Sequence, residues 1–387
     1  MPSASLVLAA LSLATWLYLA VARGNFWHLH EFDDDTAKHE SPSAWPPVVA
    51  VIPARNEAAT IAQGLASMLK QDYAGEFSVV LVDDHSEDAT AQIARQAARE
   101  LNAESRVIIC TAPALSPGWT GKLWALNEGI SQAAPAAPTH YWFTDADIVH
   151  APDTLKRLVA RADRDHLDLI SLMVLLQAKT FPERALIPAF LFFFLKLYPP
   201  RRIADPRAGA AGAAGGCILL RSAALQRTGG LAAIRHEVID DCALARAVKL
   251  SGGRIWMGLT RASVSLRAYP TFREIRDLIA RTAFSQLRYS PLLLLGTLLA
   301  MFLTYLAPVV LLFTHHPAPR ILAACASLLM SLLYLPTIRF YRLSPAWAVT
   351  LPLTALFYSY ATFLSAVRYY LGRGAQWKGR TQAHRSR

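Results

Sequence analysis

Charged residues are scarce in this chain. They make up 17% of its 387 residues, against about a quarter in an ordinary soluble domain. The shortage is uneven, because long charge-free stretches lie at the two ends and charge gathers between about residue 50 and residue 290. That layout excludes a uniformly soluble globule and suggests a soluble domain between membrane segments. Cysteine is scarce as well: Cys110, Cys217, Cys242 and Cys325 share no close paired spacing, which argues against a zinc site and a disulfide framework and leaves ordinary thiols of a reducing compartment. No basic run is interleaved with aromatics, so the net charge of +11 does not point to nucleic acid. Anionic lipid together with a diphosphate-bearing small molecule accounts for it better. No basic segment precedes the first apolar run, which argues for a retained anchor over a cleaved signal.

What the chain has in quantity is apolar sequence, with 53% hydrophobic residues and a mean hydropathy of +0.27. Residues 3–22 carry no charge and are long enough to cross roughly 30 Å of hydrocarbon as a helix, so an N-terminal transmembrane helix is expected over 1–24. Three more apolar blocks, 291–313, 321–338 and 345–371, are interrupted by Pro308, Pro336 and Pro352, which membrane helices tolerate. They predict a bundle of two or three spans over 291–372. Arg23, Arg339 and Arg342 put the central domain on the cytoplasmic side. Three full C-terminal spans would send the basic tail at 373–387, with Arg373, Lys378, Arg380, Arg385 and Arg387, to the opposite face. Either one block is re-entrant or interfacial, or the tail breaks the rule.

From residue 48 short apolar runs alternate with helical stretches. VVAVI precedes a helix with Ile61, Leu65, Met68 and Leu69 at helical spacing; VVLV (79–82) precedes a helix that Ser86 can cap; RVIIC and YWFT (141–144) follow. Such alternation implies a mostly parallel α/β sheet covered on both faces, with ligands bound beyond the carboxyl ends of its strands. Acids stand there: Glu57 after the first strand, Asp83 and Asp84 after the second, Asp145 and Asp147 after the fourth. Five acids in one crevice call for a balancing cation, and Mg²⁺ or Mn²⁺ held by Asp145 and Asp147 with a diphosphate supplies it.

These segments resemble the family 2 glycosyltransferases, whose catalytic domain has the GT-A fold. The likeness is carried by VVAVIPARNE (48–57), VVLVDDHSEDAT (79–90), GWTGKLWALNEG (118–129), TDADIV (144–149), AGGCILLRSAALQRTGGL (214–231) and IDDCALARAVKLSGGRIWM (239–257), in family order. It marks a GT-A domain over 45–260. The stretches TDADIVHAPD, PAFLFFFLKLYPP and RTAFSQLRYSPLLLLGT are similar to the hopene-associated glycosyltransferases linked to bacterial hopanoid biosynthesis, which implies a multi-pass protein of the bacterial inner membrane. By this resemblance Pro53, Arg55, Glu57 and Asp84 hold the nucleoside, Lys122 lies near the donor, and Asp145 and Asp147 hold metal and diphosphate. Asp241 stands at the general base, with Asp240 where the family usually has Glu. The processive members' Gln-x-x-Arg-Trp is replaced by Gln286, Arg288 and Tyr289 on the acceptor side, which implies transfer of one sugar. The donor implied is a UDP-sugar, and the acceptor a hopanoid or related polyisoprenoid alcohol.

Other readings of the same residues stand beside these. Asp240 and Asp241 also suit a helix N-terminus, Glu57 suits a first helical turn, and Lys122 suits a solvated surface. His85, His150, His315 and His316 have no ligand spacing and are expected as polar loop residues. Residues 185–200 are too short to span and are expected as an interfacial or buried helix. Thr271 and Glu274 form a capping-box signature for a basic amphipathic helix within 261–290, with Phe272, Ile275, Ile279 and Leu287 on one side. The rivals are a polyprenyl-phosphate glycosyltransferase, a metal-dependent nucleotidyltransferase and a non-enzymatic membrane scaffold. PARNE is not the glycine-rich phosphate cradle the second needs, and the third leaves the acidic rim unexplained.

Overall fold

The computed structural model describes residues 4–33, 44–374, 376–377 and 380–381; Lys378, Arg385 and Arg387 lie outside them. The charge-free first run forms helix α1 (Ala4–Val21). Alternation then gives β1 (Val48–Ala54), α2 (Ile61–Leu69), β2 (Phe77–Asp83), α3 (Thr90–Glu100), β3 (Val107–Thr111), α4 (Gly121–Ala133), β4 (His140–Phe143), β5 (Ile148–His150), α5 (Thr154–Arg164) and β6 (Leu169–Leu175). Two helices, α6 (Phe181–Leu197) and α7 (Pro200–Ala204), lead to β7 (Ile218–Arg221). There follow α8 (Ser222–Arg227), α9 (Asp240–Leu250), β8 (Ile255–Ser265), α10 (Phe272–Ala280) and α11 (Ala283–Gln286). The chain continues as α12 (Pro291–Met301), α13 (Ala307–Leu311), α14 (Pro317–Phe340) and α15 (Leu351–Tyr370), then a small ribbon of β9 (Gln376–Trp377) and β10 (Arg380–Thr381).

The eight-stranded sheet runs β3-β2-β1-β4-β7-β6-β8-β5. β1 to β4 pair in parallel, as do β6 and β8, whereas β7 runs antiparallel to both β4 and β6, and β5 antiparallel to β8. The sheet is therefore mixed, with its parallel half at the N-terminal end. All seven residues of β1 are buried, because helices cover both faces. Side chains alternate across a strand. Val48, Ala50 and Ile52 pack with Ile61, Leu65, Met68 and Leu155 on one face. Val49 and Val51 face a second core that runs on through α4 and α6 into Trp16, Tyr305, Met330, Tyr334 and Tyr358 of the long apolar helices. The sheet and the apolar helices thus share one continuous core.

Among the described residues four helices are long and apolar enough to cross a membrane: Ala4–Val21, Pro291–Leu311, Pro317–Phe340 and Pro345–Tyr370. The second carries a π-helical stretch at Phe302–Leu306 ahead of Pro308, whose missing N–H disturbs the regular ladder. The fourth keeps company with the sheet domain along its length. Thr354 donates to the Ala185 carbonyl, Tyr358 to that of Leu186, Ser365 to that of Ala280, and Arg368 to the Asp277 carboxylate.

Several local expectations change. Ser86 does not cap α3, which begins at Thr90; its hydroxyl instead accepts from the Asn56 N–H and donates to Asp83, tying the ends of β1 and β2 together. His150 is not a loop residue: it is buried in β5, between the Thr144 and Ser263 hydroxyls. α6 starts earlier than residue 185, on a capping box of Thr180 and Glu183, and buries Leu186, Ile187, Leu191 and Phe192 as a core helix. The Thr271–Glu274 capping box forms at α10, with Ile275 and Ile279 buried; Phe272 is exposed and Leu287 lies beyond the helix end.

Glu183 is 1% exposed. Its carboxylate accepts from the backbone N–H groups of Lys179, Thr180 and Tyr269, joining the start of α6 to the segment entering α10. Removing it leaves three part-buried donors without that carboxylate. Glu183→Ala is expected to cost about 3 kcal/mol of stability, since single hydrogen bonds to charged groups contribute about 1.5–3 kcal/mol, with Glu183→Gln costing less. Denaturation of the detergent-solubilised protein measures it, and an unchanged midpoint for Glu183→Ala would refute it.

Candidate active site

One cavity gathers most of the acids. It is lined by Pro53 and Glu57 from the end of β1, Lys122 from the first turn of α4, and Asp145 and Asp147 from the turn between β4 and β5. Asp240 and Asp241 from the start of α9 complete it. Parallel strands ending side by side bring these separate segments to one rim.

The acid pair is divided by its partners. Asp145 Oδ1 lies 2.9 Å from Lys122 Nζ, which also sits 3.4 Å from Asp240 Oδ2. Asp147 turns the other way: its Oδ2 accepts from the Ser265 hydroxyl at 2.8 Å and lies 3.7 Å from Arg267 Nε. Arg267 also donates to Glu57 Oε1 at 2.7 Å. Two cations of the chain itself therefore balance much of the acidic rim. Burial alone would push the Lys122 ammonium down, but Asp145, Asp240 and Asp241 outweigh it and hold the group above its ordinary value. Burial, then the Asp145 charge, pushes the Asp147 carboxyl up, against the pull of Arg267 and Ser265.

Asp241 is fixed at both oxygens. Its Oδ2 accepts from the Gly215 N–H at 2.8 Å and its Oδ1 from the Cys242 N–H at 2.7 Å. Burial and the neighbouring Asp240 raise its carboxyl to about 6, with Lys122 and the two N–H groups opposing. A carboxyl in that range can exchange a proton near neutrality. Gly215 has no side chain because a Cβ there would stand 3.2 Å from Lys122 Nζ and 3.3 Å from Asp241 Oδ2.

The remaining residues fall behind or beyond this cavity. Asp84 is fully buried, and Arg55 is held behind the rim by the carbonyls of Asp84 and His85. Gln286, Arg288 and Tyr289 do not reach the acids. They line a separate groove on the far side of α9, where Gln286 accepts from the Tyr198 hydroxyl and Tyr289 stacks on Tyr369 at 4.4 Å. Sequence reasoning missed Arg267 and Ser265, although both stand at or just beyond the end of the long β8, where the strand-end rule would have found them. It also missed His150. Burial keeps that ring neutral, at about 3, and it braces Thr144, whose hydroxyl also donates to the Gly216 carbonyl beside the acid turn.

No third acid, histidine or cysteine joins Asp145 and Asp147 into a metal cluster among the described residues. Two carboxylates nonetheless fit a hard divalent ion completed by phosphate oxygens, since Mg²⁺ commonly takes only one or two. The raised Asp147 carboxyl, with its like-charged neighbour, is what a bound cation would relieve.

A mixed, mostly parallel sheet with acids beyond the ends of its parallel strands makes this an α/β domain of GT-A-like fold with its ligand crevice at the strand ends. The family model "Glycosyltransferase like family 2" matches residues 46–285, so the chain belongs to that family and is a glycosyltransferase. Among solved structures it is similar to a mannosyltransferase from Pyrobaculum calidifontis in complex with GDP-Man and Mn²⁺, with a TM-score of 0.56 and 18% identity over 91% of this chain and 99% of that one. S. aureus TarS in complex with UDP-GlcNAc gives a TM-score of 0.40 and 18% identity over 84% of this chain and 92% of that one. No curated protein matches.

The acid turn is pressed against α2 through Gly64, where a Cβ would stand 2.5 Å from the Ala146 carbonyl oxygen. Gly64→Ala must displace the turn carrying Asp145 and Asp147. It is expected to weaken binding of a nucleoside diphosphate with Mn²⁺ several-fold, whereas Gly296→Ala, which meets nothing within 4 Å, leaves it unchanged. Calorimetry compares the two, and wild-type affinity in Gly64→Ala would count against the tight packing.

Proposed function

We propose that the protein moves one sugar from a nucleotide-diphosphate donor to a lipid hydroxyl with inversion at the anomeric carbon. The observation that carries this reading is a single cavity in which Asp241 faces the Asp145–Asp147 turn across Lys122 while Leu176, Phe190, Phe194 and Leu278 form an apolar wall. Asp241, oriented by the Gly215 and Cys242 N–H groups, takes the proton of the acceptor hydroxyl. The acceptor oxygen bonds to the anomeric carbon as the bond from that carbon to the diphosphate oxygen breaks, and the electron pair leaves with the diphosphate. Lys122 holds Asp145 and Asp240 in place and adds positive charge beside the leaving group. Glu57 and Asp84 serve the nucleoside, with Arg55 bracing the turn. Asp145 and Asp147 would hold Mg²⁺ or Mn²⁺, which when bound neutralises charge on the departing diphosphate.

A hopanoid or related polyisoprenoid alcohol is the acceptor that the family resemblance implies, and the apolar wall supports a lipid. A polyprenyl-phosphate acceptor is the second reading. Arg207, Arg246 and Arg288 line the groove across α9, whose border at Glu237 and Val238 is shared with the acidic cavity. Acid lability of the product separates the two, because a glycosyl phosphodiester is cleaved where a glycoside persists.

The four apolar helices support a place in the bacterial inner membrane, with the catalytic domain cytoplasmic. α15 runs beside α10, which carries Arg273, Arg276 and Asp277 and is capped by Arg281, and beside α11, so we read it as lying along the interface and not crossing. Its end then stays with the catalytic domain, and Arg373 obeys the positive-inside rule.

Asp241→Asn is expected to lower transfer by at least about 100-fold while calorimetry still registers donor binding; substantial retained activity would remove Asp241 from the role of base. Because the base must be ionised and its carboxyl titrates at about 6, kcat/KM in the wild type should fall as pH drops below that value. A profile flat down to pH 4 would contradict the assignment.

A further inference from the structure

We propose that Trp377, returned to the site by the C-terminal ribbon, forms one wall of the nucleobase seat and stacks on the base of the donor. The inference rests on the nucleotide-sugar reading of the cavity. β9 follows closely on α15, and Trp377 lines the same cavity as Lys122, Asp145 and Asp241. Its ring atoms Cε3 and Cζ3 lie 3.1 and 3.3 Å from the point where a side chain on Gly121 would begin, and Asp84 Oδ2 lies 3.5 Å from that same point. An aromatic ring and a buried carboxylate therefore meet over the first residue of α4. Gly121 leaves the space that the ring uses.

The chemistry of that corner suits a nucleobase. Every base has a flat face on which an indole can stack, while Asp84, fully buried beneath the ring, supports that corner without reaching the cavity. The next residue, Lys122, turns to Asp145 at 2.9 Å, so the corner leads directly to the proposed diphosphate position. A base at Trp377, with phosphates running towards Lys122 and Asp145, follows the direction of the crevice.

The test uses the full chain in detergent, with Trp377→Ala and Trp377→Phe, and calorimetry of UDP, GDP and pyrophosphate in the presence of Mn²⁺. Trp377→Ala should weaken UDP or GDP binding about ten-fold, in the range that loss of one base–aromatic stack produces. Pyrophosphate binding should stay unchanged, and Trp377→Phe should remain within about three-fold of wild type because a ring is kept. Unchanged nucleotide affinity in Trp377→Ala overturns the proposal. Tighter nucleotide binding overturns it too, since the ring would then be filling the seat. An equal loss for pyrophosphate also overturns it, because the effect would not be on the base. Failure of the wild type to bind any nucleoside diphosphate would sink the donor reading itself, an outcome distinct from these three.

Discussion

The site depends on one largely enclosed ammonium. Lys122 stands between Asp145 of the β4–β5 turn and Asp240 at the head of α9, two segments nearly a hundred residues apart that would otherwise repel. Its own burial is unfavourable, and only surrounding carboxylates keep it charged. The dependence is mutual: without Lys122 the acids at both ends would lose their common counter-charge, and without the acids the lysine would be an unpaired buried cation. Arg267 repeats the arrangement on the other side, linking Glu57 beyond β1 to Asp147. Two cations thus divide the acidic rim between them.

This division explains why Asp145 and Asp147 do not act as a simple pair. Residues two apart in an extended strand share a face, but the chain turns between β4 and β5, and each carboxylate finds its own cation. Asp145 belongs with Lys122 and α9, Asp147 with Ser265, Arg267 and the end of β8. The turn itself is held from beneath by Gly64 and from behind by Thr144 on His150 and Gly216. Such support from packed elements keeps a charged turn in one conformation.

The strands and the acidic rim were legible in the sequence because both follow local rules. Apolar runs such as 79–82 mark strands, and acids directly after them must lie at the sheet's carboxyl edge. The antiparallel β7 was not legible, since a four-residue apolar run carries no direction of pairing. Ser86 read as a helix cap because nothing local reveals that Asn56, on another strand end, offers its N–H. Trp377 escaped for the same reason. Gly121, against which its ring packs, is more than 200 residues away, and only the fold brings them together.

The last constraint couples the site to the apolar helices. α6 presents Phe190 and Phe194 to the cavity, while Phe192 and Phe193 on its other faces pack against Tyr334, Tyr305 and Tyr358 at centroid distances of 5.2, 5.6 and 4.8 Å. A helix is stiff over this length, so the apolar wall beside Asp241 can move only if those aromatic contacts move with it. On the proposed function, the acceptor would therefore meet a wall whose position is set by the long apolar helices. On that proposal, apolar wall, Asp241 and the acids paired with Lys122 and Arg267 would stand in the order that a lipid acceptor and a nucleotide-sugar donor require.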